Sequence, residues 1–187
     1  MQPNEDYILM QRIAKADQEA LAILMNYYLA GVIRFAEKIL GSVAAAEDVA
    51  QEVFLKIWKV AGTWTPQASL KTWIYKIVLN RCLDIKRQLK HKFAQLEQTH
   101  LENLAAPQIA DVDEFEELQI AIQKLSLREK SAIVLHYYEG YSQKEAAEIL
   151  NVSLRTLERT LASAIKKLGT NLKDNDLLAT INQPLRG

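Results

Sequence analysis

The chain carries a single cysteine, Cys82, in 187 residues. No intrachain disulfide can form, which suits a reducing compartment. Glycine and proline number only six and four, so few positions can break a helix. No stretch alternates apolar and polar residues as a half-buried strand does. No apolar run approaches the roughly 18 residues of a membrane span. The acidic start, Met1-Gln2-Pro3-Asn4-Glu5-Asp6, lacks the basic and apolar stretches of a secretory signal. These absences leave an all-α, soluble, cytoplasmic protein as the expectation. His91, His100 and His136 are scattered, with no cysteine at metal-ligand spacing. A glycine-rich phosphate loop is also missing, and the carboxylates cluster only at helix ends and in a linker. No catalytic constellation, metal site or cofactor site is legible, and the chain does not read as an enzyme.

Net charge is zero, but the charge is segregated. Residues 1–92 hold 13 Lys/Arg and 9 Asp/Glu, a net of +4. Residues 93–117 hold 7 acidic and no basic residues, a net of −7. Residues 118–187 hold 10 basic and 7 acidic, a net of +3. Neutrality thus conceals two basic parts joined by an acidic one. Pro107 and the poor apolar spacing around Leu101–Gln108 make 93–113 a linker; a surface loop with a short helix is the plainer alternative. The expected division is a helical domain over 1–92, the flexible acidic linker over 93–113, a second helical domain over 114–172 and a tail over 173–187.

In the second domain, Ser126-Leu127-Arg128-Glu129 and Ser142-Gln143-Lys144-Glu145 are capping boxes. In each, the serine takes an orphan amide and the glutamate reaches back to the cap. A short helix over Ser142–Leu150 is expected, with Ala146, Ala147 and Leu150 inside. Asn151-Val152-Ser153 supplies a turn, since Asn tolerates left-handed backbone and Ser153 can cap. A longer helix over Leu154–Leu168 follows, with Leu154, Leu157, Leu161, Ile165 and Leu168 as its buried stripe. Short helix, tight turn, long helix with a polar face is the helix-turn-helix pattern. Its second helix enters the major groove, where Arg155, Thr156 and Arg159 become candidate contacts to bases or phosphate. Lys166 and Lys167 suit phosphate. A three-helix bundle with a merely solvated polar face is the competing reading.

In the first domain, Ala44–Lys59 reads as a helix with acids toward its start and lysines toward its end, as the helix dipole favours. Val49, Val53, Ile57 and Val60 make the core stripe, leaving Asp48, Gln51, Glu52, Leu55 and Lys56 on other faces. That surface either binds a protein partner or is simply solvated. The turn-rich loop Gly62–Ala68 precedes a helix that Ser69 caps. From Lys71 to Lys92 there are seven Lys/Arg and one acid, Asp84, with Trp64, Trp73 and Tyr75 among them. Cations with interleaved aromatics suit single-stranded nucleic acid. Trp73 itself falls on the apolar side with Leu70, Ile74 and Ile77 and reads as core, and Cys82 reads as structural.

Taken together, these stretches resemble the extracytoplasmic-function (ECF) sigma factors of bacterial RNA polymerase. Ala46–Trp58 closely resembles region 2.2 of that family, Leu70–Arg87 its regions 2.3 and 2.4, and Leu125–Leu168 its region 4. Leu24, Tyr28, Arg34, Phe35 and Leu40 fit region 2.1 more loosely. The resemblance implies docking on the β′ clamp helices of core RNA polymerase through Asp48, Gln51, Glu52, Leu55 and Lys56, and a contact of region 4 with the β flap. It implies binding of the promoter −10 element through Trp64, Thr65, Ser69, Lys71, Thr72, Lys76, Asn80, Arg81 and Arg87. It implies reading of the −35 element through Ser153, Arg155, Thr156, Glu158 and Arg159. An anti-sigma factor, in some members membrane-bound at the inner membrane, is the implied control; no small-molecule substrate is. The run after Thr156 departs from the family, with Leu157, Glu158, Arg159, Thr160 and Leu161 where Lys and Arg are more frequent. Base preference at −35 is therefore not carried over. A stand-alone helix-turn-helix regulator with an N-terminal sensing or dimerisation domain is the alternative.

Overall fold

The computed structural model describes residues 3–97 and 114–171, which hold eight α-helices, six of them started by a capping side chain. Helix α1 spans Pro3–Ala14 and α2 spans Gln18–Leu40. Asp17 starts α2 by accepting from the Ala20 amide at 3.1 Å and is itself held by Arg12 at 2.7 Å. Gly41, at φ 76°, ends it, its amide returning to the Glu37 carbonyl; glycine adopts this left-handed cap without steric cost. Ser42 then caps α3, Val43–Val60, through the Ala45 amide at 3.3 Å. Ser69 caps α4, Leu70–Glu97, through the Thr72 amide at 3.1 Å.

Helix α2 packs against α1, α3 and α4, burying Leu24, Val32, Phe35, Ala36, Ile39 and Leu40 along one side. It is 23 residues long, with an 18-residue window of mean hydropathy 1.2, so by length and composition it could cross a membrane. Its apolar stripe faces three neighbouring helices, which is the pattern of a core helix. From α3, Val49, Val53 and Ile57 enter the same core while Val60 is only half-buried. Trp73 is half-buried against it and Cys82 is fully buried. Burial pushes the Cys82 thiol up to about 12, so it stays protonated and unreactive at neutral pH.

Helix α4 continues to Glu97, past Lys92 where the linker was expected to start. The remainder of that segment, 98–113, and the tail 173–187 lie outside the described residues. The chain is described again from α5, Glu114–Lys124, followed by α6, Leu127–Ile133, α7, Gln143–Ile149, and α8, Leu154–Asn171. Both capping boxes form as expected, at Ser126–Glu129 and Ser142–Glu145. Between α6 and α7 the backbone widens into a π-helical turn over Val134–Tyr138, then bends at Gly140, φ 68°. No strand is present among the described residues.

The two helical halves are seated on each other. Helix α7 packs on α4, and α6 and the π turn pack on α2. Buried apolar side chains from Leu9 to Leu168 make one continuous core through both halves. The two helical domains expected from the sequence thus share one buried core in this arrangement.

Candidate nucleic-acid and partner interface

Helices α7 and α8 form the helix-turn-helix. Asn151 takes the left-handed conformation, φ 53°, between them. Ser153 Oγ accepts from the Thr156 amide at 3.2 Å and pairs with Thr156 Oγ1 at 2.8 Å. Two of the five residues assigned to DNA are thus held to the helix start by each other, which fixes where Arg155 begins. Helix α7 packs on α8, with Ala146, Ala147 and Ile149 of the first and Leu157, Leu161, Ala164 and Leu168 of the second buried. Leu150 is only half-buried, Ile149 taking the inner place expected for it. The stripe of α8 also differs from the expected one. Leu154 is 45% exposed and Ile165 only half-buried. Leu154 occupies the exposed first turn of α8, and Ala164, about three turns further on, is fully buried beside Ile165. Arg155, Glu158 and Arg159 are exposed side by side on the outer face.

An open polar cleft of about 340 Å3 lies between the start of α6 and the outer side of α8, lined by Arg128, Glu129, Thr156, Arg159 and Ser163 among others. Glu129 forms its floor. It accepts from Ser126 Oγ at 2.7 Å, Ser163 Oγ at 2.8 Å and Lys167 Nζ at 2.9 Å. Burial would raise its pKa, but these bonds outweigh burial and hold the carboxyl at about 2. Lys167 is therefore committed to Glu129 rather than held out for phosphate. A carboxyl depressed in the folded state stabilises the fold above its unfolded pKa and loses that effect as pH falls. Glu129→Gln should lower stability at pH 7 by about 2 kcal/mol, a figure discounted for the exposure of Lys167. The gap to the parent protein should close between about pH 5 and pH 2, as read by urea melts across that range.

On α3, Asp48, Gln51, Glu52, Leu55 and Lys56 are all exposed, Leu55 at 59%. Leu55 is the one large apolar side chain exposed in this polar row. Glu52 also reaches across to α4, where it forms a two-pronged ion pair with Arg81: Nη2 lies 2.8 Å from Oε1, and Nε bonds the other oxygen. This pair sits in a small cleft shared by Val53, Lys56, Ile77, Asn80 and Asp84.

The −10 set is divided by the structure. Thr65, Ser69, Lys71, Asn80 and Arg87 are exposed, and Lys76 and Arg81 are half-buried. Arg87 lies 3.5 Å from Asp84, one turn back. Trp64 and Thr72 are turned inward, at 5% and 2% exposure. Trp64 packs beside Tyr7 of α1, because the 3-10 turn Ala61–Thr63 folds the loop back under α1. The Thr72 hydroxyl points to Ser69 Oγ at 2.8 Å. Both side chains are therefore buried in this arrangement, where the sequence reading places them at the surface.

Sequence reasoning missed what covers α4. Tyr75 donates to Glu139 Oε2 at 2.9 Å. Its ring meets Phe35 of α2 and Tyr141 of the other half edge-on, at 5.4 and 5.2 Å between centroids. Lys71 Nζ lies 4.1 Å above the Tyr141 ring, and Lys38 Nζ 4.1 Å above Tyr138. Gln123 donates to the Lys38 carbonyl at 3.2 Å, covering an open end of α2. Burial raises the Glu139 carboxyl, against the Tyr75 bond and the cations Arg34, Lys71 and Lys38, which lower it. Gly31 makes room for this seam: a Cβ there would stand 2.5 Å from Tyr75 Oη. The signal available in sequence was the cluster Tyr137-Tyr138-Glu139-Gly140-Tyr141, too aromatic for an exposed turn.

Two family profiles match the chain: Sigma-70 region 2 over residues 24–92 and Sigma-70, region 4 over residues 115–168. The chain is 26% identical over 178 residues to the ECF RNA polymerase sigma factor SigW of Bacillus subtilis, covering 88% of this chain and 95% of that protein. It is 31% identical over 124 residues to the ECF RNA polymerase sigma factor SigM of Mycobacterium tuberculosis, covering 66% of this chain and 62% of that protein. Its fold is shared by CnrH, solved in complex with the cytosolic domain of CnrY, with a TM-score of 0.66, 23% identity and coverage of 88% and 95%. The sigma factor RpoE, solved with the anti-sigma factor NepR from Bartonella quintana, gives 0.68, 22%, 82% and 97%.

Proposed function

The chain belongs to the ECF sigma factors of RNA polymerase, regulators of transcription rather than catalysts, and from that premise we propose a division of labour among its surfaces. The exposed face of α3 holds core polymerase, through Asp48, Gln51, Glu52, Leu55 and Lys56, on the β′ clamp helices. The exposed part of the −10 set, Thr65, Ser69, Lys71, Asn80 and Arg87 with the half-buried Lys76 and Arg81, binds the −10 element. The start of α8, with Arg155, Glu158 and Arg159, reads the −35 element, and region 4 also meets the β flap. The domain division is 1–92 and 114–172, with 93–113 between them. The observation that carries this reading is the outward face of α3: polar side chains around an exposed leucine, on a helix whose opposite side is wholly core.

Simultaneous contact with two promoter elements uses α4 surface that Tyr141 covers here, so the halves part in the working complex. Each contact then raises the effective concentration of the other. Relatives seen with CnrY or with the anti-sigma factor NepR support an anti-sigma partner that holds this chain inactive in the cytoplasm, or at the membrane where that partner is anchored there. The pure protein should co-migrate with core polymerase in size-exclusion chromatography at moderate salt. It should also support run-off transcription from promoter fragments that core enzyme alone ignores. Failure to co-migrate would leave a free-standing helix-turn-helix regulator as the better description.

A further inference from the structure

The partner-binding and DNA-binding surfaces proposed above are physically joined at one place. Glu52 stands on α3 among the residues assigned to polymerase. Arg81 stands on α4 among those assigned to the −10 strand. They are 29 positions apart in sequence and grip each other by two parallel bonds. Both side chains are partly exposed, Arg81 at 31% and Glu52 at 49%, so each is open to an incoming group. We propose that Glu52 is a positioning residue that masks Arg81 in the free protein and releases it when a basic or hydrogen-bonding group of the polymerase takes the Glu52 carboxylate. This inference rests on the assignment of the two surfaces.

Arg81 has donors in a planar fork, and a carboxylate is the group that satisfies such a fork two bonds at a time. While Glu52 holds it, those donors are unavailable to a phosphate or a base edge. The carboxylate also places a negative charge in the cleft lined by Lys56, Ile77, Asn80, Arg81 and Asp84, which repels the DNA backbone. Capture of Glu52 by a partner removes both obstacles at once. Coupling of this kind is reciprocal, so a strand bound at Arg81 strengthens the grip on the polymerase by the same factor. An ion pair this exposed exchanges readily with competing partners, so a modest coupling of a few-fold is expected rather than an all-or-none switch.

The test uses the full chain without polymerase and a fluorescein-labelled dT12 strand, followed by anisotropy at low salt. Glu52→Gln should bind this probe about threefold to fivefold more tightly than the parent chain. Glu47→Gln, which removes the same charge from the same helix outside the pair, should gain less than half as much. In an Arg81→Ala background the gain from Glu52→Gln should vanish. The proposal is overturned if Glu52→Gln binds no better than the parent, if Glu47→Gln gains as much, or if the gain survives without Arg81. Run-off transcription with Arg81→Ala separates the coupling from its premise. Normal initiation by that variant removes Arg81 from the −10 surface altogether. Weak initiation with no gain from Glu52→Gln sinks the coupling alone. Circular dichroism melts of each variant confirm that the compared proteins are equally folded.

Discussion

Tyr75→Ala is expected to destabilise the protein by about 4 kcal/mol, the usual cost of emptying a buried aromatic site, and to lower the melting temperature by roughly 10 °C. The ring is 2% exposed and is clasped from both halves, by Phe35 and by Tyr141. Its removal leaves a cavity at the seam and takes the hydroxyl from Glu139, a carboxyl that burial already disfavours in its charged form. Two terms therefore add: lost packing and a polar group stripped of its partner. Tyr75→Phe isolates the second, since the ring remains, and should cost about 1 kcal/mol. Scanning calorimetry of the three proteins decides between these terms. A melting temperature within 2 °C of the parent for Tyr75→Ala would show that the seam contributes little to the fold in solution.

Asp48→Ala with Gln51→Ala and Arg155→Ala with Arg159→Ala are each expected to cut promoter-directed transcription at least tenfold, by different routes. The first pair removes two polar groups from the α3 face. It should weaken co-migration with core polymerase by about thirtyfold, for roughly 2 kcal/mol of lost contact. The second pair should leave that binding intact. Each arginine that bonds a base edge contributes about 1–3 kcal/mol of discrimination, so initiation at the cognate promoter should fall at least tenfold. Size-exclusion binding and run-off transcription, measured on the same preparations, separate the two outcomes. If both double variants retained transcription, the assignment of surfaces to α3 and α8 would be wrong.

What the sequence revealed here was what short-range chemistry decides. The caps at Ser69, Ser126, Ser142 and Ser153 join residues three positions apart, and their spacing is visible in a single reading. The left-handed Asn151 and the solvent-facing row from Asp48 to Lys56 were legible for the same reason. Contacts between distant positions were not. Nothing near Tyr75 announces Glu139, 64 residues later, and the helical spacing of apolar residues in α8 could not tell that Leu154 is left exposed. Trp64 and Thr72 were expected at the surface and are buried. An aromatic beside a basic helix suggests base stacking, and a threonine suggests a polar contact, but α1 covers the first and the helix cap takes the second. Periodicity gives the side on which a residue lies; only packing decides whether that side is roofed.

The wide turn at Val134–Tyr138 bears on how this stretch can drift in sequence. Loss of one codon there would convert it to ordinary helix and rotate everything beyond it by about 100°. Glu139 and Tyr141 would then swing away from the α4 groove they occupy, and α7 would arrive out of phase. The span from Ile133 to Ser142 is therefore constrained in its length more strictly than in most of its letters. Substitutions are tolerable wherever volume and polarity are kept, while a single insertion or deletion would unseat one half of the molecule from the other.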